Sequence, residues 1–186
     1  MTEGEATLAV IDALNAQEIP YMLVGSFSTN FYGIPRSTQD ADFVISIDDG
    51  SLLELAETLG PDFRVDPQMS FETVTMTRRT IIKITHLPFK IELFHLSSDP
   101  HDQERFRRRR KVWYLDHEVY LPTPEDVIIT KIHWALMGNR SKDREDVRDV
   151  IAVQGDSLDW GYIHHWTDRH GTRALLDEIR RSIPPI

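Results

Sequence analysis

Two aspartates and a glutamate raise the chemical question. Asp40 and Asp42 lie two residues apart in the run Asp40-Ala41-Asp42-Phe43-Val44-Ile45-Ser46-Ile47. Residues two apart in a strand share a face. The alternation therefore puts both carboxylates on one side, with Ala41, Phe43, Ile45 and Ile47 on the other. Neighbouring carboxylates repel unless protons or a cation hold them together, and hard dications such as Mg²⁺ prefer oxygen ligands of this kind. A third acid, Glu92, interrupts the apolar run Phe89-Lys90-Ile91-Glu92-Leu93-Phe94, where a carboxylate is costly unless it faces a polar site. Each signal alone has a plain structural explanation, a solvated strand edge. Together, after the Gly25-Ser26 break, they suggest a site that holds nucleotide phosphates through metal.

The flanking sequence predicts the elements that position these acids. Leu8, Ile11 and Leu14 recur at helical spacing, which predicts a helix over Glu5–Ala16. Tyr21–Val24 reads as a short buried strand, Phe27–Tyr32 as a helical turn and Gly33–Thr38 as loop. After the Asp40–Ile47 strand, Ser51 is expected to cap a helix to Leu59. Strand-like runs follow at Phe71–Thr77, Ile81–Thr85 and Phe89–Phe94, with Arg78-Arg79-Thr80 and Leu87-Pro88 as connectors. Lys111–Leu115 and Glu118–Leu121 suggest a hairpin with Asp116-His117 at its tip. Thr123-Pro124-Glu125-Asp126 reads as a helix start, and helices are expected near Glu125–Met137, Asp143–Gln154, Asp159–His170 and Thr172–Ser182. The expected class is α+β: a mixed sheet flanked by helices over residues 1–122, and a C-terminal helical region over 123–186 packed on it.

The 186 residues carry a net charge of −9 and no cysteine, which removes disulfides and thiolate metal sites and suits a reducing cytoplasm. The acidic balance opposes general adhesion to nucleic acid, and no DNA partner is expected. Arg105-Phe106-Arg107-Arg108-Arg109-Arg110-Lys111 is the local exception; it reads first as a solvated face pairing with the protein's own acids, and otherwise as an RNA backbone contact. No apolar run reaches the ~20 residues of a membrane helix. The eight histidines lack metal-ligand spacing, His133 reads as a packed helix residue, and Trp134, Trp160, Tyr162 and Trp166 read as core between C-terminal helices.

The ordered set Val24-Gly25-Ser26, Asp40-Ala41-Asp42-Phe43 and Ile91-Glu92-Leu93 resembles the signature of the nucleotidyltransferase superfamily. Gly33-Ile34-Pro35-Arg36-Ser37-Thr38-Gln39-Asp40 is similar to the entry into the Asp-x-Asp strand in members near the AbiEii-type toxins. The same group is resembled by Pro124-Glu125-Asp126 with the following Lys131, and by Arg140-Ser141-Lys142-Asp143-Arg144-Glu145-Asp146. Relatives often carry Asp where this chain has Glu92.

The resemblance implies transfer of a nucleoside monophosphate from a nucleoside triphosphate to RNA (a tRNA among the candidates), a protein side chain or a small molecule. Asp40 and Asp42 would hold two Mg²⁺ or Mn²⁺ ions, and Glu92 the ion nearer the acceptor. Gly25 and Ser26 would offer backbone N–H groups to phosphate. Lys131 would reach the triphosphate and Arg36 a phosphate or the acceptor, although each is also explicable as a surface cation. Asp143 and Asp146 become site candidates by resemblance alone. A toxin role would imply an antitoxin partner. The alternative is an inactive nucleotide-binding or protein-interaction module of the same fold.

Overall fold

The computed structural model describes every residue except 67, 69, 73–75, 139, 185 and 186, and only the backbone at 49 and 50. The chain opens with helix α1 (Glu3–Ala16). Thr2 caps it in a reciprocal box: its Oγ1 accepts from the Glu5 N–H, and the Glu5 carboxylate accepts from the Thr2 N–H. Strand β1 (Tyr21–Val24) is buried throughout and runs straight into α2 (Gly25–Tyr32). Strand β2 (Asp40–Ile45) follows the loop, then α3 (Asp49–Leu59). Asp48, not Ser51, caps α3, because its Oδ1 accepts from the Ser51 N–H at 2.9 Å.

Three strands follow: β3 (Phe63–Val65), β4 (Ser70–Glu72) and the long β5 (Thr77–Ile84). Arg78-Arg79-Thr80 is therefore strand and not connector. Strong pairing to β6 (Lys90–His95) on one side and to β4 on the other holds these polar residues extended. Part of the strand expected over Phe71–Thr77 lies outside the described residues.

Helix α4 (Pro100–Arg108) is absent from the sequence reading, which saw only its basic charge. Asp99 caps it through Oδ1, with Pro100 in the first turn. Strands β7 (Arg110–Tyr114) and β8 (His117–Leu121) form the expected hairpin, with Leu115 and Asp116 at positive φ at the tip. The C-terminal helices are α5 (Pro124–Gly138), α6 (Ser141–Gln154), α7 (Trp160–Arg169) and α8 (Arg173–Arg181).

The main sheet has the order β1-β2-β6-β5-β3, with β4 also on β5. It is mixed: β2 and β6 run parallel, and the other pairings are antiparallel. One face, with Ala41, Phe43, Ile45, Ile91 and Leu93, packs on α1 and α3 in the largest core cluster. A second core joins α5–α8 to Tyr32 of α2. A small third one, Met22, Val24, Val44, Phe94 and Phe106, lies on the opposite sheet face and seats α4 there. No helix among the described residues is long and apolar enough to cross a membrane.

Candidate active site

The central strands bring the three acids together. Asp42 on β2 stands opposite Val24 of β1 on one side and opposite Glu92 of β6 on the other, while Asp40 stands opposite Lys90. Strand alternation sends Asp40, Asp42, Lys90 and Glu92 to the face away from the α1–α3 core. All four line a cleft of about 290 Å³, closed on its far side by α4 and α5.

Gly25 sits where β1 turns into α2, at φ +61°. A Cβ there would lie 2.1 Å from Asp42 Oδ2. Only glycine allows both this backbone conformation and this approach. The start of α2 therefore lies directly against the Asp42 carboxylate. Ser28 lines the cleft and its hydroxyl donates to the Gly25 carbonyl at 2.9 Å, whereas Ser26 lies outside the lining.

The carboxylates are not electrostatically equal. Burial pushes Asp42 up to about 7, and the charges of Asp40 and Glu92 add to the effect against partial relief from Lys131 and Lys90. Asp40 is steadied by Thr38, whose hydroxyl donates to its Oδ1 at 2.9 Å. Glu92 is buried and holds two cations: Arg79 of β5 reaches Oε2 at 3.2 Å and Lys90 contacts Oε1.

Lys131 of α5 enters the cleft wall between two acids of α6, 2.8 Å from Asp143 and 2.9 Å from Asp146. Arg36 stands behind them and donates two hydrogen bonds to Asp146, each 2.8 Å. Burial alone would raise Asp146, but Arg36 and Lys131 hold its carboxyl below the usual range. Asp143 lines the cleft, and its Oδ2 is buried with no hydrogen-bond partner. Neither Arg36 nor Asp146 lines the cleft; they brace Lys131 and Asp143, which do.

Several lining residues are not among the site residues expected from sequence: Thr77, Arg79, Lys90, Arg105 and Arg140, the last two noted only within the basic block and the Arg140–Asp146 motif. Lys90 carried a usable signal, since it is two residues from Glu92 in the same strand. Arg105 did not, because its burial against Asp102 (2.8 Å) depends on where α4 lands. Trp134, expected in the core, instead lines the cleft with Arg140 over its ring at 4.9 Å.

The basic block is mostly engaged within the fold. Arg105 pairs with Asp102, Arg107 with Glu104, Arg108 with Asp126, and Lys111 with Glu118. Arg109 lies over Phe106.

As they stand, no three His, Asp or Glu side chains among the described residues close on one point fit to hold an ion. The donor set at Asp40 and Asp42 nevertheless suits a hard dication. The carboxylates are close in register, and the charge crowding that raises Asp42 is what a dication would relieve. Glu92 could join only by releasing Arg79 or Lys90.

The fold has known counterparts. The antibiotic-resistance factor ANT(2″)-Ia superposes with a TM-score of 0.63 at 14% identity, over 97% of this chain and 98% of that one. The chain has the nucleotidyltransferase fold. A nucleotidyltransferase-like protein from Paracoccidioides brasiliensis matches with a TM-score of 0.54 at 17% identity, over 97% and 94% of the two chains. The lincosamide antibiotic adenylyltransferase LnuA matches with a TM-score of 0.51 at 11% identity, over 80% and 96%. No family model matches the sequence, and a search of curated proteins finds no match. At these identities the likeness concerns fold, and the chemistry must be argued from the cleft.

Proposed function

We propose that this chain is a metal-dependent nucleotidyltransferase that moves a nucleoside monophosphate from a nucleoside triphosphate to an acceptor hydroxyl. The observation that carries the reading is the Gly25–Asp42–Glu92 arrangement: a helix that opens on a glycine laid against a half-buried carboxylate, with a second acid in register beside it. The neighbours support it, since ANT(2″)-Ia is also known in complex with adenylyl-2″-tobramycin and LnuA with lincomycin.

Asp40 and Asp42 would hold Mg²⁺ or Mn²⁺, two ions if Glu92 exchanges its cations. Bound metal would polarise the α-phosphoryl oxygens and neutralise charge as pyrophosphate leaves. The rest is positioning by the chain. The α2 N–H groups receive phosphate oxygens. Arg79, Lys90, Arg105 and Lys131 line the cleft, each paired with an acid, and would turn in part from those partners to triphosphate oxygens. The acceptor oxygen bonds to the α-phosphorus, the α–β bridging bond breaks, and the hydroxyl proton leaves to a triad carboxylate or water.

The test is transfer of label from an α-labelled nucleoside triphosphate into an acceptor, with pyrophosphate release, in wild type and in Asp40→Asn and Glu92→Gln. Transfer lost in both variants with the fold intact supports the reading. No transfer to any fraction of the source cell's extract would favour the inactive nucleotide-binding module. The closeness to AbiEii-type toxins, and with it an antitoxin partner, rests on the Pro35-Arg36, Pro124–Lys131 and Arg140–Asp146 motifs alone.

A further inference from the structure

Hairpin β7–β8 has two edges, and only one is covered. Leu115 and Asp116, at positive φ, make its turn two residues long. The closing pair Tyr114–His117 of such a turn is hydrogen-bonded, and the pairs alternate from there. Glu118 therefore turns its carbonyl away from β7, where Asn15 of α1 and Tyr21 of β1 donate to it at 3.1 and 3.2 Å. By the same count Lys111 and Trp113 turn their N–H and C=O groups away from β8. No strand or side chain among the described residues meets them. Arg110 and Tyr114 on one face of β7, and Lys111 and Trp113 on the other, are all exposed, Trp113 by 68%. The strand stands clear of the body on both faces, and an open edge of this kind is a template for another strand.

We propose that β7 pairs antiparallel with β7 of a second copy of this chain, about a twofold axis at Val112, to give a four-stranded sheet. The occupant follows from the order of residues in the strand. Arg110-Lys111-Val112-Trp113-Tyr114 is cationic before Val112 and aromatic after it. A twofold axis normal to a sheet preserves its faces, so the axis falls on one residue, which meets its own copy. With Val112 on the axis all five residues overlap: Lys111 meets the partner's Trp113, and Arg110 meets the partner's Tyr114. Lys111 already lies 5.7 Å from the centre of the Tyr120 ring. In the dimer it lies between two rings and keeps Glu118 at 2.8 Å. The turn of each copy carries Asp116 toward Arg109 and Arg110 of the other, an acid against cations. The two adjacent registers are poorer. An axis at Lys111 opposes like charges, which is destabilising. An axis at Trp113 runs Arg110 and Lys111 past the partner's strand onto its turn. One register is therefore selected against its neighbours, and the two cations discourage an arbitrary strand.

A five-residue ladder is small beside the roughly 1,200–2,000 Å² of a stable interface, so the dimer should be reversible, with a Kd of about 1–100 µM. Sedimentation of the full chain from about 5 µM to about 1 mM should show monomer and dimer in equilibrium. Trp113→Lys sets lysine opposite Lys111 and should weaken dimerisation at least about tenfold. Its melting temperature should not change, because the side chain is exposed. The register is read separately, since the chain has no cysteine. Val112 spends its backbone groups on β8, so it meets its copy in a non-hydrogen-bonded pair, with α-carbons about 4.5 Å apart and within disulfide reach. Val112→Cys should oxidise to a cross-linked dimer at least about tenfold faster than Leu115→Cys, which is exposed but far from its own copy. A chain monomeric to about 1 mM, a dimer that Trp113→Lys leaves intact, or equal cross-linking of the two cysteine variants would overturn the proposal.

Discussion

The α-carbon of Gly25 and the carboxylate of Asp42 are so close that a methyl group on the first would lie 2.1 Å from an oxygen of the second. Gly25→Ala must therefore displace Asp42 as well as strain a backbone at φ +61°. The cost should be about 1–3 kcal/mol of stability, read by urea denaturation. Nucleotide affinity should fall further than the stability loss explains. A variant that keeps wild-type affinity would separate the glycine from the site.

Lys131 is a structural tie as well as a phosphate candidate. Among the described residues, Lys131→Ala leaves Asp143 with no paired cation and Asp146 with Arg36 alone. Both acids are buried, so stability should drop by about 1–3 kcal/mol. Adding Asp143→Asn should recover part of that loss in a double-mutant cycle. Purely additive effects would show that the pair is not coupled.

Asp42 should be a residue that function keeps at the expense of stability. Its carboxyl is raised from 3.8 to about 7 in the fold, so the native state prefers the proton and loses stability as pH rises from about 4 through 7. Asp42→Asn mimics the protonated form. At pH 8 without nucleotide it should melt higher than wild type, by ~2–4 °C per kcal/mol for a chain of this size. The gap should shrink toward pH 4. The same variant should lose metal–nucleotide binding by calorimetry. A lower melting temperature at pH 8 would contradict the crowding seen at the triad.

His170 runs the other way. Its folded value lies near 4 against 6.5 unfolded, so its neutral form is the one the fold accepts. Stability should be full above about pH 6.5 and fall as pH drops from there to 4. His170→Phe should flatten that part of the stability–pH curve. An unchanged slope would place the titration elsewhere.

Because Arg105, Arg107, Arg108 and Lys111 each face a carboxylate within the fold, few phosphates should be neutralised by this region. Filter binding of tRNA at 50 and 200 mM salt should show weak affinity and a shallow salt slope, far from the ~10³–10⁵-fold loss of a protein with 6–10 phosphate contacts. A steep slope removed by Arg107→Ala with Arg110→Ala would restore RNA as an acceptor.

Period-two alternation placed Asp40, Asp42 and Glu92 on strand faces, and the register that aligns Asp42 with Glu92 follows once β2 and β6 pair. The C-terminal helices were legible because Asp159 caps α7 and Pro124 starts α5 with ordinary local signals. Arg78-Arg79-Thr80 looked like a turn since three polar residues carry no local reason to extend; sheet pairing supplies it. Helix α4 was hidden by its composition, three arginines in nine residues, and its folding depends on Phe106 reaching the Met22–Phe94 cluster. The Lys131–Asp143–Asp146–Arg36 network was readable as separate residues but not as a network. Its members come from α5, α6 and the loop before β2, and only tertiary packing joins them.

The parallel pairing of β2 with β6 carries one more consequence. Asp42 and Glu92 meet only after α3, β3, β4 and β5 have been synthesised, a closure of long sequence separation and therefore slow. A nascent chain that has emerged only as far as β5 holds two crowded aspartates beside β1 but not the strand that carries Glu92. Nucleotide affinity should thus be acquired late in biogenesis, all at once, which makes ATP retention a convenient gauge of how many molecules in a preparation have finished folding.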